Sequence, residues 1–199
     1  MADLFLPAEG AFAPFLETLS PSGNGRLVLS EPPARGIATV MARAGQGAAL
    51  ATRMKALYGI DVEDAARFVT AGDVALVGTG PGAWLMLREG AAPDWAAQPA
   101  GELDGLASVF DQSSGYAVLR LGGAGAATLL SRGAFIDMHP RAFPVGAAAV
   151  TVMSHIGAIL WQREAAVYEV AIFRSYAASF WHWIAATAAA NGLTPMRSA

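Results

Sequence analysis

The stretch Val74-Ala-Leu-Val-Gly-Thr-Gly-Pro-Gly-Ala-Trp-Leu-Met-Leu87 decides the fold, because it supports two incompatible readings. Gly78-Thr-Gly80-Pro-Gly-Ala83 has the spelling of a dinucleotide-binding turn, which would place a parallel α/β sheet here. That turn works only when a helix comes next, so that its first amides meet a pyrophosphate. The residues after it, Trp84-Leu-Met-Leu-Arg-Glu-Gly90, are too few and too strand-like for that helix, and Pro81 removes an amide donor. Two apolar runs around a Gly- and Pro-rich turn make a β-hairpin instead. Nucleotide binding drops out.

Outward from the hairpin, residue periodicity assigns the neighbouring elements. Gly36 to Arg43 alternates as a strand, and Gln46 to Tyr58 sets Leu50, Met54, Leu57 and Tyr58 on one helical face with Gly59 as a stop. Pro93 to Ala100 reads as a connector and Gly101 to Val109 as a short helix. Tyr116 to Leu121 is a strand and Ala124 to Ser131 a helix. Ala148 to Met153, Ile159 to Gln162 and Val167 to Phe173 are strands, and Ser175 to Ala190 is a helix capped by Ser175. The order is β-α-β-β-α followed by β-α-β-β-β-α. It predicts an α+β fold, one domain over residues 34–190 built of two similar β-α-β-β-α halves (34–109 and 110–190), with an antiparallel or mixed sheet covered by helices.

Residues 1–33 hold Pro7, Pro14, Pro21, Pro32 and Pro33 and the turn cluster Ser20-Pro-Ser-Gly-Asn-Gly25. They read as an irregular arm with a short strand at Arg26 to Leu29. Leu4, Phe5, Leu6, Phe12, Phe15 and Leu16 are too apolar for a free tail, so the arm is expected to pack on the domain or on a partner. Residues 191–199 form a C-terminal tail.

At 199 residues, the chain can bury about 70 % of its surface and needs no covalent staple. It has no Cys, which excludes disulfides, thiolate metal sites and thiol catalysis. A net charge of −3 and the lack of a basic run argue against nucleic acid. Charged residues make up only 15 % of the chain against 54 % hydrophobic, where about 25 % charged is ordinary. Lys55 is the only lysine; the remaining basic residues are Arg, which tolerates burial and bidentate pairing better. So little charge implies much apolar surface, and hence a chain shielded by neighbours. Asp3, Glu9 and Glu17 near the start leave no basic region for a signal peptide. The uncharged stretches Ala142–Gln162 and Ser175–Met196 are broken by Pro, Gly and polar residues, so no membrane span and a cytoplasmic location are expected.

No candidate site assembles into catalytic machinery. Gly122-Gly-Ala-Gly125 lies between a strand and a helix but misses the dinucleotide spacing; it reads as a tight turn, with anion binding at the helix start as the alternative. His139, His155 and His182 have no i, i+4 pair, and Asp137-Met-His139 offers two ligands where a catalytic metal wants three. Ser154-His155 is adjacent in sequence without a nucleophile elbow. Asp111 and Asp137 read as turn-capping carboxylates. Catalytic, cofactor-binding and metal residues are therefore all expected to be absent.

The last helix says more. At about 100° per residue, Tyr176, Phe180, Trp183, Ile184 and Thr187 share a face with Trp181 on its flank. The opposite face carries Ala178, His182, Ala185 and Ala189 and no charge, where a surface helix normally shows charge. Burial inside the same domain explains this pattern, and so does a partner; with the low overall charge, the partner is favoured. Phe180, Trp181 and His182 are the contact candidates, with Asp137, His139 and Arg141 as polar groups that could orient a docked neighbour.

Several stretches resemble the gamma subunit family of heterotetrameric sarcosine oxidase. They are Gly78-Thr-Gly-Pro-Gly-Ala-Trp84-Leu85, Val109-Phe-Asp-Gln-Ser-Ser-Gly-Tyr116 running on to Leu121, Leu129-Leu-Ser-Arg-Gly133 through Asp137-Met-His-Pro-Arg-Ala-Phe143, and Phe173-Arg-Ser-Tyr through Phe180-Trp-His-Trp183. The likeness runs from Val74 to Ala190 and is weak before it. It implies a fold akin to the folate-binding domain of the glycine-cleavage T-protein. It further implies a complex of alpha, beta, gamma and delta subunits that demethylates sarcosine oxidatively. FAD, FMN, NAD, tetrahydrofolate and zinc would then sit in the partner subunits, and this chain would be a non-catalytic subunit packed mainly on alpha. Related complexes oxidise other N-methyl amino acids such as N-methylglutamate. A free-standing folate-binding protein is the alternative, with Asp111 and Asp137 as the carboxylates to test.

Overall fold

A computed structural model describes residues 9–21 and 26–198. Leu4, Phe5, Leu6 and the Ser22–Gly25 part of the turn cluster lie outside the described residues. The strands are β1 (Leu27–Ser30), β2 (Arg35–Ala42), β3 (Phe68–Ala71), β4 (Val74–Gly80), β5 (Ala83–Glu89), β6 (Ala107–Asp111), β7 (Tyr116–Gly122), β8 (Ala148–Met153), β9 (Ile156–Glu164), β10 (Val167–Phe173) and β11 (Pro195–Arg197). The helices are α1 (Ala13–Leu16), α2 (Gly47–Tyr58), α3 (Ala97–Glu102), α4 (Ala126–Leu130) and α5 (Ala177–Ala190).

The expected single sheet is two. One has the order β3-β4-β5-β2-β6 and is antiparallel throughout; the other, β11-β1-β7-β10-β9-β8, is mixed because β1 and β11 run parallel. Successive side chains of a strand point to opposite faces, and here both faces are covered. In β2, Ile37 points to the space between the sheets while Ala38 and Val40 point to α2 and α3; in β7, Val118 points between the sheets while Leu119 and Leu121 meet the other helices. Three apolar layers result. Leu50, Met54, Trp95 and Leu103 cover the five-stranded sheet; Phe12, Leu129, Phe180 and Ile184 cover the six-stranded one; Val77, Leu85, Ile159 and Trp161 fill the middle. The molecule is an α+β sandwich of four layers, helix-sheet-sheet-helix.

The run β2-α2-β3-β4-β5-α3 has the same element order as β7-α4-β8-β9-β10-α5, and the neighbour order β3-β4-β5-β2 matches β8-β9-β10-β7. The sequence reading of the first run missed β3, a four-residue strand. Its signal was present in Phe68-Val-Thr-Ala followed by Gly72-Asp73, with Gly72 at φ 60° in the hairpin turn.

The expected helix over Gly101–Val109 is also corrected. The helix lies earlier, at Ala97–Glu102, with Pro99 in its first turn where no N–H is needed, and Ala107–Asp111 is the strand β6 paired with β2. Ser175 does not cap the last helix. It sits in a short 3-10 turn, Arg174–Tyr176, and no side chain caps α5.

One buried ionic group joins the two sheets. Glu169 of β10, with no exposed surface, accepts hydrogen bonds from Arg35 of β2 (Nη1–Oε2 3.0 Å, Nη2–Oε1 3.3 Å) and from Arg120 of β7 (Nε–Oε1 2.8 Å, Nη2–Oε1 2.6 Å). Burial pushes the Glu169 carboxyl up, but the two guanidinium groups outweigh it and hold the group below its ordinary range.

Candidate interaction surface

The glycine-rich turns are explained by packing. In the β4–β5 hairpin, Pro81 and Gly82 take the central positions, with Gly82 at φ 62°, the pairing a type II turn requires. A Cβ on Gly78 would lie 1.9 Å from the Ala65 carbonyl oxygen, so only glycine fits there. The Gly82 amide donates to the Asp64 carboxylate at 2.7 Å, which puts a negative charge where a phosphate would have to sit. In the β7–α4 turn, the Gly123 N–H donates to the Ala166 carbonyl and the Gly125 N–H to the Arg26 carbonyl, leaving these amides occupied.

The other polar candidates are turn chemistry. Asp137 Oδ1 accepts from the His139 N–H at 2.8 Å, and His139 Nδ1 accepts from the Arg141 N–H at 3.2 Å. All three side chains are exposed, on the loop after α4. Ser154 and His155, at φ 47° and 72°, are the two central residues of the β8–β9 hairpin. Asp111 Oδ1 accepts from the Ser113 N–H at 2.7 Å, and Ser113 in turn ties Trp95 Nε1 to the Ile37 backbone. Among the described residues, no three His, Asp or Glu side chains are grouped to hold a metal ion.

Helix α5 sorts its contact candidates into two groups. Phe180 is fully buried, edge-on to Phe12 and stacked on Trp183, and Trp181 is buried in a stack with Phe15 of α1 at 5.4 Å. Both rings are taken up by packing inside this domain, Phe180 completely and Trp181 down to 9 % exposure. His182 is exposed, together with Ala178, Ser179, Ala185, Ala186 and Ala189. The inward face of α5 is satisfied by its own domain, and the outward face is small, uncharged and bare.

The loop after α4 is fastened to this helix at Gly133, where a Cβ would come within 2.4 Å of the Trp183 ring. Two residues on, Phe135 is 76 % exposed, the most exposed of the large hydrophobic side chains among the described residues. Phe135 went unnoticed in the sequence because neighbouring Ala134 and Ile136 are apolar as well, and both pack inward. The loop bearing Phe135, Asp137, His139 and Arg141 and the outward face of α5 thus flank one helix-loop junction.

Over residues 43–190 the chain matches the model of the sarcosine oxidase, gamma subunit family. It is 30 % identical over 119 residues to the sarcosine oxidase subunit gamma of Corynebacterium sp. strain P-1, and 32 % identical over 76 residues to that of strain U-96. These matches cover 58 % and 38 % of this chain and span 59 % and 37 % of the relatives' own lengths. Among solved structures it is similar to a chain of the heterotetrameric sarcosine oxidase from Corynebacterium sp. U-96 in complex with pyrrole 2-carboxylate. The TM-score is 0.77 at 25 % identity, over 90 % of this chain and 94 % of that one. Glycine cleavage system aminomethyltransferase T from Bartonella henselae shares the fold, with a TM-score of 0.61 at 11 % identity, over 81 % of this chain and 46 % of that one. The antiparallel hairpin at Gly78–Ala83, the four-layer sandwich and the match over most of its length agree: this chain belongs to the sarcosine oxidase gamma subunit family.

Proposed function

We propose that this chain is the non-catalytic gamma subunit of a heterotetrameric, sarcosine oxidase-type flavoenzyme, docked on a larger subunit through the outward face of α5 and the loop after α4. The observation that carries the reading is that bare, uncharged face on a chain of this family. A helix exposed over Ala178, His182, Ala185 and Ala189 with no charge is poorly suited to water and well suited to close packing against apolar protein. In this reading the oxidative demethylation of sarcosine, or of a related N-methyl amino acid such as N-methylglutamate, takes place elsewhere in the complex. FAD, FMN, NAD, tetrahydrofolate and zinc are assigned to the alpha, beta and delta partners, and the complex is placed in the cytoplasm. Among the described residues, no helix is long and apolar enough to cross a membrane.

Co-expression with the three partner subunits tests the reading. Ala185→Arg and Ala178→Arg place a charge on the exposed face without touching the core, so the chain should fold while its recovery in the yellow complex falls. Undiminished recovery with both variants combined rules out α5 as the docking face. Failure of the unmodified chain to co-purify with any flavin-bearing subunit rules out the subunit role itself.

A further inference from the structure

Phe135 is the barest large apolar side chain among the described residues, yet it does not stand on a loose loop. Before it, Ala134 bridges Met153 of β8, and the Gly133 carbonyl accepts from the Ser154 N–H. After it, Ile136 packs on the core, and Met138 and Phe143 are buried. The His139 carbonyl then accepts from the Ala142 and Phe143 amides at 2.8 and 2.9 Å. A β-bridge, a turn and two buried side chains thus hold the backbone on both sides of a ring that is left mostly in water. A ring held this way gives up little conformational freedom on binding, and aromatic side chains so presented are where interfaces concentrate their affinity.

The charge near the ring is as uneven as its exposure. From Leu121 to Gln162 and along α5, the charged side chains are Arg132, Asp137 and Arg141, a net +1 on a chain of net −3. All three histidines of the chain belong to the same region. His139 is on the loop, His155 lies two residues beyond Met153, and His182 adjoins Trp183, against whose ring Gly133 is packed. These five basic side chains are exposed, and so is Asp137, the one acid, which accepts from the His139 N–H. An apolar projection in a basic surround is complementary to an apolar pocket with carboxylates at its edge. Given the subunit role proposed above, on which this rests, we infer that Phe135 is the anchor of the docked chain, seated in an apolar, acid-rimmed pocket of the larger subunit. The α5 face then packs beside the anchor, and Arg132 and Arg141 meet the rim.

The co-expressed complex, captured through a tag on the full chain, supplies the test: retention of the flavin-bearing subunits across a dilution series gives a dissociation constant. Phe135→Ala should raise it at least about 30-fold, the effect of losing a hot-spot side chain. Binding as tight as that of the unmodified chain overturns the anchor. Released from the complex and digested side by side with trypsin, the two chains should be cut at equal rates. Faster cutting of the variant means that the ring serves the fold, and overturns the anchor as well. For the rim, the dissociation constant of the unmodified chain should rise about tenfold from 50 to 500 mM NaCl, because salt screens exposed charges. In Arg132→Glu/Arg141→Glu it should no longer rise. A salt-independent constant in the unmodified complex, or a rise that persists in the variant, overturns the acidic rim. Failure of the unmodified chain to retain any flavin-bearing subunit overturns the subunit reading and this inference with it, whereas failure of the variants alone to behave as stated overturns only the inference.

Discussion

Replacing Glu169 with Gln should cost this protein more than any surface change. Arg35 has a side chain only 5 % exposed, its Nη atoms both bond Glu169, and its Nε has no partner among the described residues. In Glu169→Gln a buried guanidinium loses its counter-charge, a change that costs about 3–5 kcal/mol. For a chain of this length each kcal/mol moves the melting temperature by about 2–4 °C, so a drop of about 6–20 °C is expected. The pH dependence has a definite sign. Because the folded carboxyl titrates below its ordinary range, its contribution is complete above the unfolded value of about 4.3 and is lost as pH falls through the lower folded value. The gap between wild type and variant should therefore be full at pH 7 and narrow on the acid side of pH 4. Thermal unfolding monitored by circular dichroism from pH 7 to pH 3 measures both. A variant melting within about 2 °C of wild type at pH 7 would refute the view that this group clasps the sheets.

Phe180→Ala should destabilise the fold by about 3–5 kcal/mol in denaturant titration, since the ring is fully buried; a loss of assembly without a loss of stability would put the ring at a contact instead. Gly78→Ala should lower stability by at least about 1–3 kcal/mol, because its Cβ meets a backbone oxygen that cannot swing away; an unchanged denaturation midpoint would show that the hairpin can shift. Lys55→Ala should change stability by less than about 0.5 kcal/mol, although the Lys55–Asp61 pair is short at 2.6 Å, because both side chains are exposed.

The sequence made the elements legible where a local signal existed. The Pro81-Gly82 turn, the Gly59 stop (φ 69°) and the alternation in Gly36–Arg43 are all short-range features; the turn and the stop are found where they were expected, and the strand within one residue of it, at Arg35–Ala42. The split into two sheets was not legible. Which strands face each other depends on contacts between distant segments, and the hint was indirect: Val74–Val77 and Trp84–Leu87 are unbroken apolar runs, as strands covered on both faces must be. The same holds for the Glu169 cluster, whose members stand 134 and 49 positions apart. On α5 the sequence identified the uncharged stripe but could not tell the exposed stripe from the one that faces inward. The aromatic residues, which looked like the anchors, proved to be the domain's own core, and the alanines opposite them form the exposed side.

The arrangement of the sheets also bears on how the chain is made. The five-stranded sheet is complete once residue 111 has emerged from the ribosome, whereas its cover, formed by Val118, Ile159, Trp161 and Ala171, is translated later. Until then Val77, Leu85 and Leu87 present a greasy plane to water, which is the kind of surface that nascent chains lose to aggregation or hand to chaperones. Slower synthesis beyond residue 111 should lower the yield of native protein, and faster synthesis there should raise it.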